Sequence, residues 1–254
     1  MTHPTWAKTK PGDEEDVHRG WVFAENGETL TNENGFGKFT ADDICMDPYH
    51  PEVKYVRDLY RGGPPTYSVP ILWDTKTDTM VNNESSEIIM MLNSEFEGGP
   101  NLYPENLKDA AGKEDSWIYT NIKNGVYRCG FAKSQEAYDQ AVKVLFDEGL
   151  DRVEAILQDG RQYLLGGEVT LSDVKLFVTL VRFDEVYVVY FKCNKRSIAD
   201  YPHIMAYMRR LWKMDAFRET TSMHHIKTHY FTSHAQLNHF AVIPAGPGFI
   251  EKLE

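Results

Sequence analysis

The sequence predicts a small α/β portion followed by an all-helical domain, and three features carry that prediction. Residues 67–92 read as strand, turn, strand and helix start. Residues 97–100, Glu-Gly-Gly-Pro, form the sharpest break in the chain. Beyond it, apolar residues recur at helical spacing almost to residue 230.

Residues 1–38 are polar and rich in turn formers, which predicts a long surface loop. The same stretch holds Trp6, Trp21 and Phe23, so it is expected to dock those aromatics onto a partner surface. Val53, Val56, Leu59 and Tyr60 then share one face of a short helix, which Arg61-Gly62-Gly63-Pro64-Pro65 ends. Residues 67–73 are aromatic and β-branched, residues 74–78 are a polar hairpin connection, and Met80-Val81 is the return strand. Asn82 to Ser86 supply capping residues ahead of Ile88, Ile89, Met91 and Leu92. Pro70 cannot donate to a ladder, so it marks an edge or a bend, compatible with a cis Val69–Pro70 bond.

The helical text opens at Tyr103-Pro104-Glu105 and runs to about Gly125. Ser134-Gln135-Glu136 caps the next helix, in which Ala137, Tyr138, Ala141, Val142, Leu145, Phe146, Val153, Ile156 and Leu157 keep one face. Thr170-Leu171-Ser172-Asp173 is a capping box with Asp in place of Glu. The helix it starts is apolar on nearly every side, from Val174 through Leu176, Phe177, Leu180, Val181 and Phe183 to Val186, and must therefore be buried. Asp200-Tyr201-Pro202 opens another helix, and the last twenty or so residues read as a tail wrapped on the surface. The expected divisions are residues 1–97, 102–234 and a tail of 235–254.

The formal charge of -11 repels phosphate backbones and argues against nucleic acid. No apolar run is long enough to span a membrane, and no secretory signal is read at the N-terminus. Three cysteines, Cys45, Cys129 and Cys193, lie far apart without a Cys-x-x-Cys pair, as in a reducing, cytoplasmic compartment. His225 and His229 stand i, i+4 with His224 and His234 nearby, but no Glu lies between them, and no metal is expected.

What residues 67–88 can do chemically is bind a small peptide. A proline in an edge strand leaves the main chain of Val69 free to pair with an extended peptide. One hairpin later, a helix start offers N–H groups and the Ser85 hydroxyl to a carboxylate, and Glu84 can take an ammonium group.

In that order and spacing, the two halves resemble the glutathione-binding half of a glutathione transferase. The resemblance extends through His3-Pro4-Thr5-Trp6, Gly20-Trp21-Val22-Phe23, Val69-Pro70-Ile71-Leu72-Trp73-Asp74 and Val81-Asn82-Asn83-Glu84-Ser85-Ser86-Glu87-Ile88. It continues in Asn124-Gly125-Val126-Tyr127-Arg128-Cys129-Gly130-Phe131-Ala132, Leu180-Val181-Arg182-Phe183-Asp184, Phe191-Lys192-Cys193-Asn194 and His225-Ile226-Lys227. Together these resemble glutathionyl-hydroquinone reductases, the Omega-related Xi class of glutathione transferases. The resemblance implies a partial thioredoxin-like N-terminal domain, a helical C-terminal domain, a homodimer, and glutathione as co-substrate. The implied reaction reduces glutathionyl-hydroquinones: a cysteine attacks the glutathione sulfur and a second glutathione reduces the mixed disulfide. The alternative is a non-catalytic module that keeps the fold for protein association.

Carried onto this chain, the resemblance makes Trp21 a wall of the glutathione site. It assigns Thr66, Tyr67, Ser68 and Val69 to the peptide backbone, and Glu84 with Ser85 to the γ-glutamyl end. Family members carry an arginine where Thr66 stands, so Arg57 or Arg61 becomes the candidate substitute. Tyr127, Tyr187 and Tyr230 match the tyrosines that donate a proton to the quinol and stabilise the thiolate. The family's nucleophile lies in a Cys-Pro motif upstream of the His-Pro-Thr-Trp segment with which this sequence begins. The chain is therefore expected to be N-terminally truncated and inactive alone. Cys45 is not accepted as a replacement, because Asp42 and Asp43 disfavour its thiolate.

Overall fold

The structure is a computed structural model that describes residues 5–61 and 67–254. Its contacts divide the chain into two compact units: residues 1–99 with 227–243, and residues 100–226 with 244–254. The division falls after the glycine pair at 98–99. Residues 227–243, read as the end of the helical domain and the start of a tail, group with the first unit instead.

The first unit is built from antiparallel hairpins. Strands β1 (Thr5–Lys8) and β2 (Arg19–Val22) pair in register, with Trp6 opposite Trp21. Strands β3 (Thr29–Leu30) and β4 (Phe39–Thr40) form a second short pair. The stretch expected to be a long loop is thus mostly two hairpins. Polar turn residues dominate its composition and mask strands only two to four residues long.

Helix α1 (Val56–Leu59) follows, and its Val56 and Leu59 join Phe23 and Tyr60 in a small core. Trp21, Val53, Tyr67, Ile71, Trp73 and Met80 pack against that core. Strands β5 (Leu72–Asp74) and β6 (Thr79–Asn82) form the expected hairpin, but the first strand begins at Leu72, so residues 67–71 with Pro70 precede it as irregular backbone and not as the strand expected from residue 67. The Asp74 carboxylate organises its turn, accepting from the Lys76 and Thr77 N–H groups and the Thr77 hydroxyl. Helix α2 (Ser85–Ser94) closes the α/β portion.

The second unit is helical. Helices α3 (Lys108–Ile118) and α4 (Asn124–Gly130) join through the wide turn Tyr119–Lys123 without a break. Gly125, expected near the helix end, lies inside α4. A Cβ there would sit 3.3 Å from Leu145 Cδ1, so this glycine permits a close helix crossing and does not terminate the helix. Helices α5 (Gln135–Lys143) and α6 (Asp151–Leu157) join in the same manner through Val144–Leu150, and the Ser134 hydroxyl caps α5 at the Ala137 N–H.

Helix α7 (Leu171–Arg182) begins at the predicted capping box, with Asp173 accepting from the Thr170 N–H and hydroxyl at 2.8 Å each. Leu176, Leu180, Phe183 and Val186 are wholly buried, as an apolar helix requires. The turn Phe183–Tyr187 leads into α8 (Val188–Tyr190). Helices α9 (Pro202–Trp212), α10 (Asp215–Arg218) and α11 (Met223–Ser233) follow. The final segment is not merely draped on the surface. Phe249 is fully buried, and its N–H donates to the buried Glu185 carboxylate at 2.7 Å. No helix among the described residues is long and apolar enough to cross a membrane.

Candidate functional site

The site candidates of the first unit gather around the segment between α1 and β5. The Val69–Pro70 peptide is cis, and Tyr67 takes a left-handed φ of 38°, unusual for a non-glycine residue. Val69 is 38% exposed, and neither its N–H nor its carbonyl finds a partner among the described residues. This is the free main-chain edge that peptide pairing requires.

A hydrogen-bond network holds the segment. The buried Tyr60 hydroxyl donates to the Ser68 carbonyl at 2.5 Å. The Asn83 side-chain amide donates to that hydroxyl and to the Ser68 hydroxyl, both at 3.1 Å. One network therefore joins the residue after α1, the cis-proline segment and the residue before Glu84.

Glu84 is the N-cap of α2, but its side chain makes no capping bond; its own N–H donates to Asn82 Oδ1 at 2.7 Å. Glu84 and Ser85 are both exposed. Among the described residues the N–H groups of Ser85 and Ser86 have no acceptor, which leaves the helix start open to an anion. The two halves predicted from sequence thus stand in one unit and share Asn83.

Trp21 is half-buried and packs on the same core as Tyr67, edge to face with Trp6 at 5.2 Å and tilted over His229 at 4.6 Å. His229 is in turn held by the Ser233 hydroxyl at its Nδ1, 3.0 Å away. Sequence reasoning weighed His229 only as a metal ligand. Among the described residues no group of three or more His, Cys, Asp or Glu is placed to hold a metal. Its place against Trp21 carries no periodic signal.

Tyr67 is covered by the Arg57 guanidinium at 4.9 Å and by His18 edge-on at 4.9 Å. Arg57 thus stands at this segment, but it is ion-paired with Asp16 at 2.6 Å. Arg61 stands over Trp73 and pairs with Asp78 at 2.7 Å. Burial, with Arg57 acting in the same sense, holds His18 below the usual histidine value. Thr66 lies outside the described residues.

Of the three tyrosines, Tyr127 on α4 and Tyr187 are brought together in the helical unit. Their ring centroids are 6.2 Å apart, and both contact Phe191, Tyr127 at 5.3 Å and Tyr187 stacked at 5.5 Å. Tyr127 is 40% exposed while Tyr187 is buried, so the pair spans from surface to core. Tyr230 lies on α11 and belongs to the first unit, next to His229.

Among the described residues no cysteine of the first unit is poised as a thiolate. Cys45 is buried in the first unit, where burial raises its thiol above the ordinary value; its Sγ donates to Asp42 at 3.4 Å. Cys129 and Cys193 are buried in the helical unit.

The family model for the glutathione S-transferase C-terminal domain matches residues 135–210. The chain is 42% identical over 243 residues to glutathione S-transferase omega-like 2 of Schizosaccharomyces pombe, covering 90% of this chain and 74% of that protein. It is 42% identical over 234 residues to the glutathionyl-hydroquinone reductase YqjG of Escherichia coli, covering 89% of this chain and 68% of that protein. The glutathione-bound structure of YqjG matches with a TM-score of 0.78 at 38% identity, over 90% of this chain and 74% of that one. Glutathione transferase Xi 1 from Trametes versicolor matches with a TM-score of 0.77 at 43% identity, over 90% and 81% of the two chains.

Proposed function

This chain belongs to the Xi-class glutathione transferase and glutathionyl-hydroquinone reductase family, and on that premise we propose that its first unit binds glutathione as co-substrate for reduction of glutathionyl-hydroquinones. The observation that carries the reading is the occurrence, in one unit, of a Val69 main chain and a Glu84-Ser85 helix start that have no hydrogen-bond partner among the described residues. The residues fit the ligand. Tyr67, Ser68 and Val69 offer the main chain that an extended cysteinyl segment needs. The Ser85 N–H and hydroxyl suit the γ-glutamyl carboxylate, Glu84 its ammonium, and Trp21 the flat side of the tripeptide. Thr66 completes that set by family position, and Arg57, beside Tyr67, is the better placed substitute for the family arginine.

In the helical unit, Tyr127 and Tyr187 bracket Phe191 as two walls of an aromatic quinol site. By family position, their phenols and that of Tyr230 are the proton donors for the departing quinol carbon. We read the protein as a homodimeric, cytoplasmic enzyme acting on small molecules, without metal or nucleic acid.

Reduction through a mixed disulfide requires a thiolate at the glutathione site, and Cys45, the cysteine of the first unit, is buried with its thiol raised above the ordinary value. The chain as given is accordingly proposed to be inert in quinol reduction, whereas a version extended upstream by a strand–Cys-Pro–helix segment is active. Both versions are assayed with glutathionyl-hydroquinone and excess glutathione at equal protein concentration. A rate difference of several orders of magnitude is expected. Comparable turnover by both, lost on Cys45→Ser, overturns the reading of Cys45; activity in neither makes the protein a non-catalytic module. Independently, alanine at both Glu84 and Ser85 is expected to abolish glutathione binding in calorimetry. Unchanged affinity would place the γ-glutamyl group elsewhere.

A further inference from the structure

Tyr67 holds a left-handed backbone conformation that a tyrosine seldom adopts, directly ahead of the Ser68-Val69 main chain. Its ring is gripped from three sides. The Arg57 guanidinium lies over it at 4.9 Å, and two rings stand nearly perpendicular to it, His18 at 4.9 Å and Tyr60 at 5.4 Å. Of these, His18, just ahead of β2, has no part in the chemistry described above.

The β1–β2 hairpin fixes that imidazole. The His18 N–H donates to Asp16 Oδ1 at 3.0 Å, and its carbonyl accepts from the Thr9 N–H at 3.1 Å. A Cβ at Gly20 would fall 2.8 Å from His18 Cε1, so the ring takes the space of a side chain there. His18 Nδ1 lies 2.8 Å from the hydroxyl of the buried Thr9, and Arg57 Nη1 donates to the same oxygen at 3.3 Å. One hydroxyl thus ties the imidazole to the guanidinium over Tyr67.

The proton of that hydroxyl sets the state of the ring. Arg57 can only donate, so the Thr9 oxygen accepts from it and gives its own proton elsewhere. His18 Nδ1 at 2.8 Å is a nearer acceptor than the His18 carbonyl at 3.4 Å. The ring is therefore a neutral imidazole, accepting at Nδ1 and protonated at Nε2. An imidazolium would aim a second cation at the oxygen that Arg57 already uses. The groups around it are Asp16 from its own segment, Arg57 from α1 and the Tyr67 phenol. Asp16 is already shared between Arg57 at 2.6 Å and Lys10 at 3.5 Å, so it offsets a further charge only in part. Burial and then Arg57 hold His18 below the ordinary histidine value, against Asp16.

Resting on Val69 as the seat of the cysteinyl main chain, we propose that His18 is a positioning residue for glutathione: its neutral imidazole braces Tyr67 and so sets the Ser68-Val69 main chain, and its protonation releases the brace. His18 acts through Tyr67 and not by contact with the ligand. Because the bound state needs the neutral ring, affinity is full above the His18 value. It falls as pH drops through that value, below the ordinary histidine figure of about 6.5. The carboxylates, thiol and amine of glutathione ionise outside the range from about pH 5 to about pH 7.

Glutathione is titrated calorimetrically into the whole chain at about pH 7 and about pH 5. The parent should bind roughly fivefold more weakly at the lower pH, the loss expected for one ring contact. His18→Phe keeps a ring that cannot charge, while the Thr9 hydroxyl turns to the carbonyl of residue 18, 3.4 Å away. It should bind equally at both pH values. His18→Ala, checked for folding by circular dichroism, should bind at the parent's low-pH level throughout. No fall in the parent, an equal fall in parent and His18→Phe, or a folded His18→Ala as tight as the parent at the higher pH overturns the proposal. A second arm needs no ligand. In nitrogen-labelled protein the amide resonances of Tyr67, Ser68 and Val69 should follow the titration of the His18 ring in the parent and stay in place in His18→Phe. Stationary amides in the parent, or equal movement in both, overturn the brace. No heat from the parent at either pH overturns the glutathione reading and the ligand with it, and amides that follow His18 then support the brace on Val69 by themselves.

Discussion

Replacing Tyr60 by phenylalanine tests whether the two halves of the glutathione site act as one. The Tyr60 ring is buried in the first unit's core and packs edge to face on Tyr67 at 5.4 Å, and phenylalanine keeps all of that. Only the hydroxyl is lost. The Ser68 carbonyl then lacks its donor at 2.5 Å, and the Asn83 amide lacks one acceptor at 3.1 Å. At about 1 kcal/mol for each lost hydrogen bond, the change amounts to about 2 kcal/mol. If all of it falls on the geometry of Ser68-Val69 and Glu84, glutathione affinity drops roughly thirtyfold. Isothermal titration of glutathione into parent and Tyr60→Phe, with circular dichroism to show that both are folded, measures it. Affinities equal within about twofold, with only the melting temperature lowered, would show that the network supports the fold and not the site.

Two further perturbations probe the scaffold. Asp173 is fully buried and accepts from the Leu164 N–H, the Thr170 N–H and hydroxyl, and the Tyr207 hydroxyl. Asp173→Ala strands two or more buried donors, at a cost of about 3–5 kcal/mol, and should lower the melting temperature by roughly 10 °C in calorimetry. A drop of only a degree or two would mean that water replaces the carboxylate. His50 is clasped by Asp78 at 2.9 Å and Asp47 at 2.8 Å, with Arg61 on the far side of Asp78 and the Trp73 ring edge-on. Its hydrogen bonds, first to Asp78 and then to Asp47, raise its pKa. The clasp is therefore fully present below the ordinary histidine value of about 6.5 and is lost as pH rises through the raised folded value. Melting of the first unit should fall between mildly acidic and mildly alkaline pH, and His50→Gln should flatten that slope. Identical slopes for parent and variant would dissociate the clasp from stability.

The sequence was most legible where its signals are local. The Thr170–Asp173 capping box, the Ser134 cap, the all-apolar face of α7 and the Asp74 turn all depend on residues within four positions of one another. So does the hairpin that ends at an open helix start. Those local rules place Val69 and Glu84 15 residues apart in a strand–hairpin–helix order, which was enough to suggest a peptide site.

Tertiary structure decided what those rules cannot reach. Short strands in residues 5–40 exist because Trp6 finds Trp21 and Phe23 finds the core below α1, contacts between residues that share no period. Gly125 reads as the end of a helix by propensity, yet it lies inside α4 where Leu145 packs 3.3 Å from the position of a Cβ, and Gly130 likewise makes room for the Phe191 ring. The Tyr60–Ser68–Asn83 network and the Trp21–His229 contact span from 8 to 208 positions along the chain. A hydrogen bond or ring contact of that range leaves no repeat in the text, because its partner is chosen by packing and not by the spacing of neighbours.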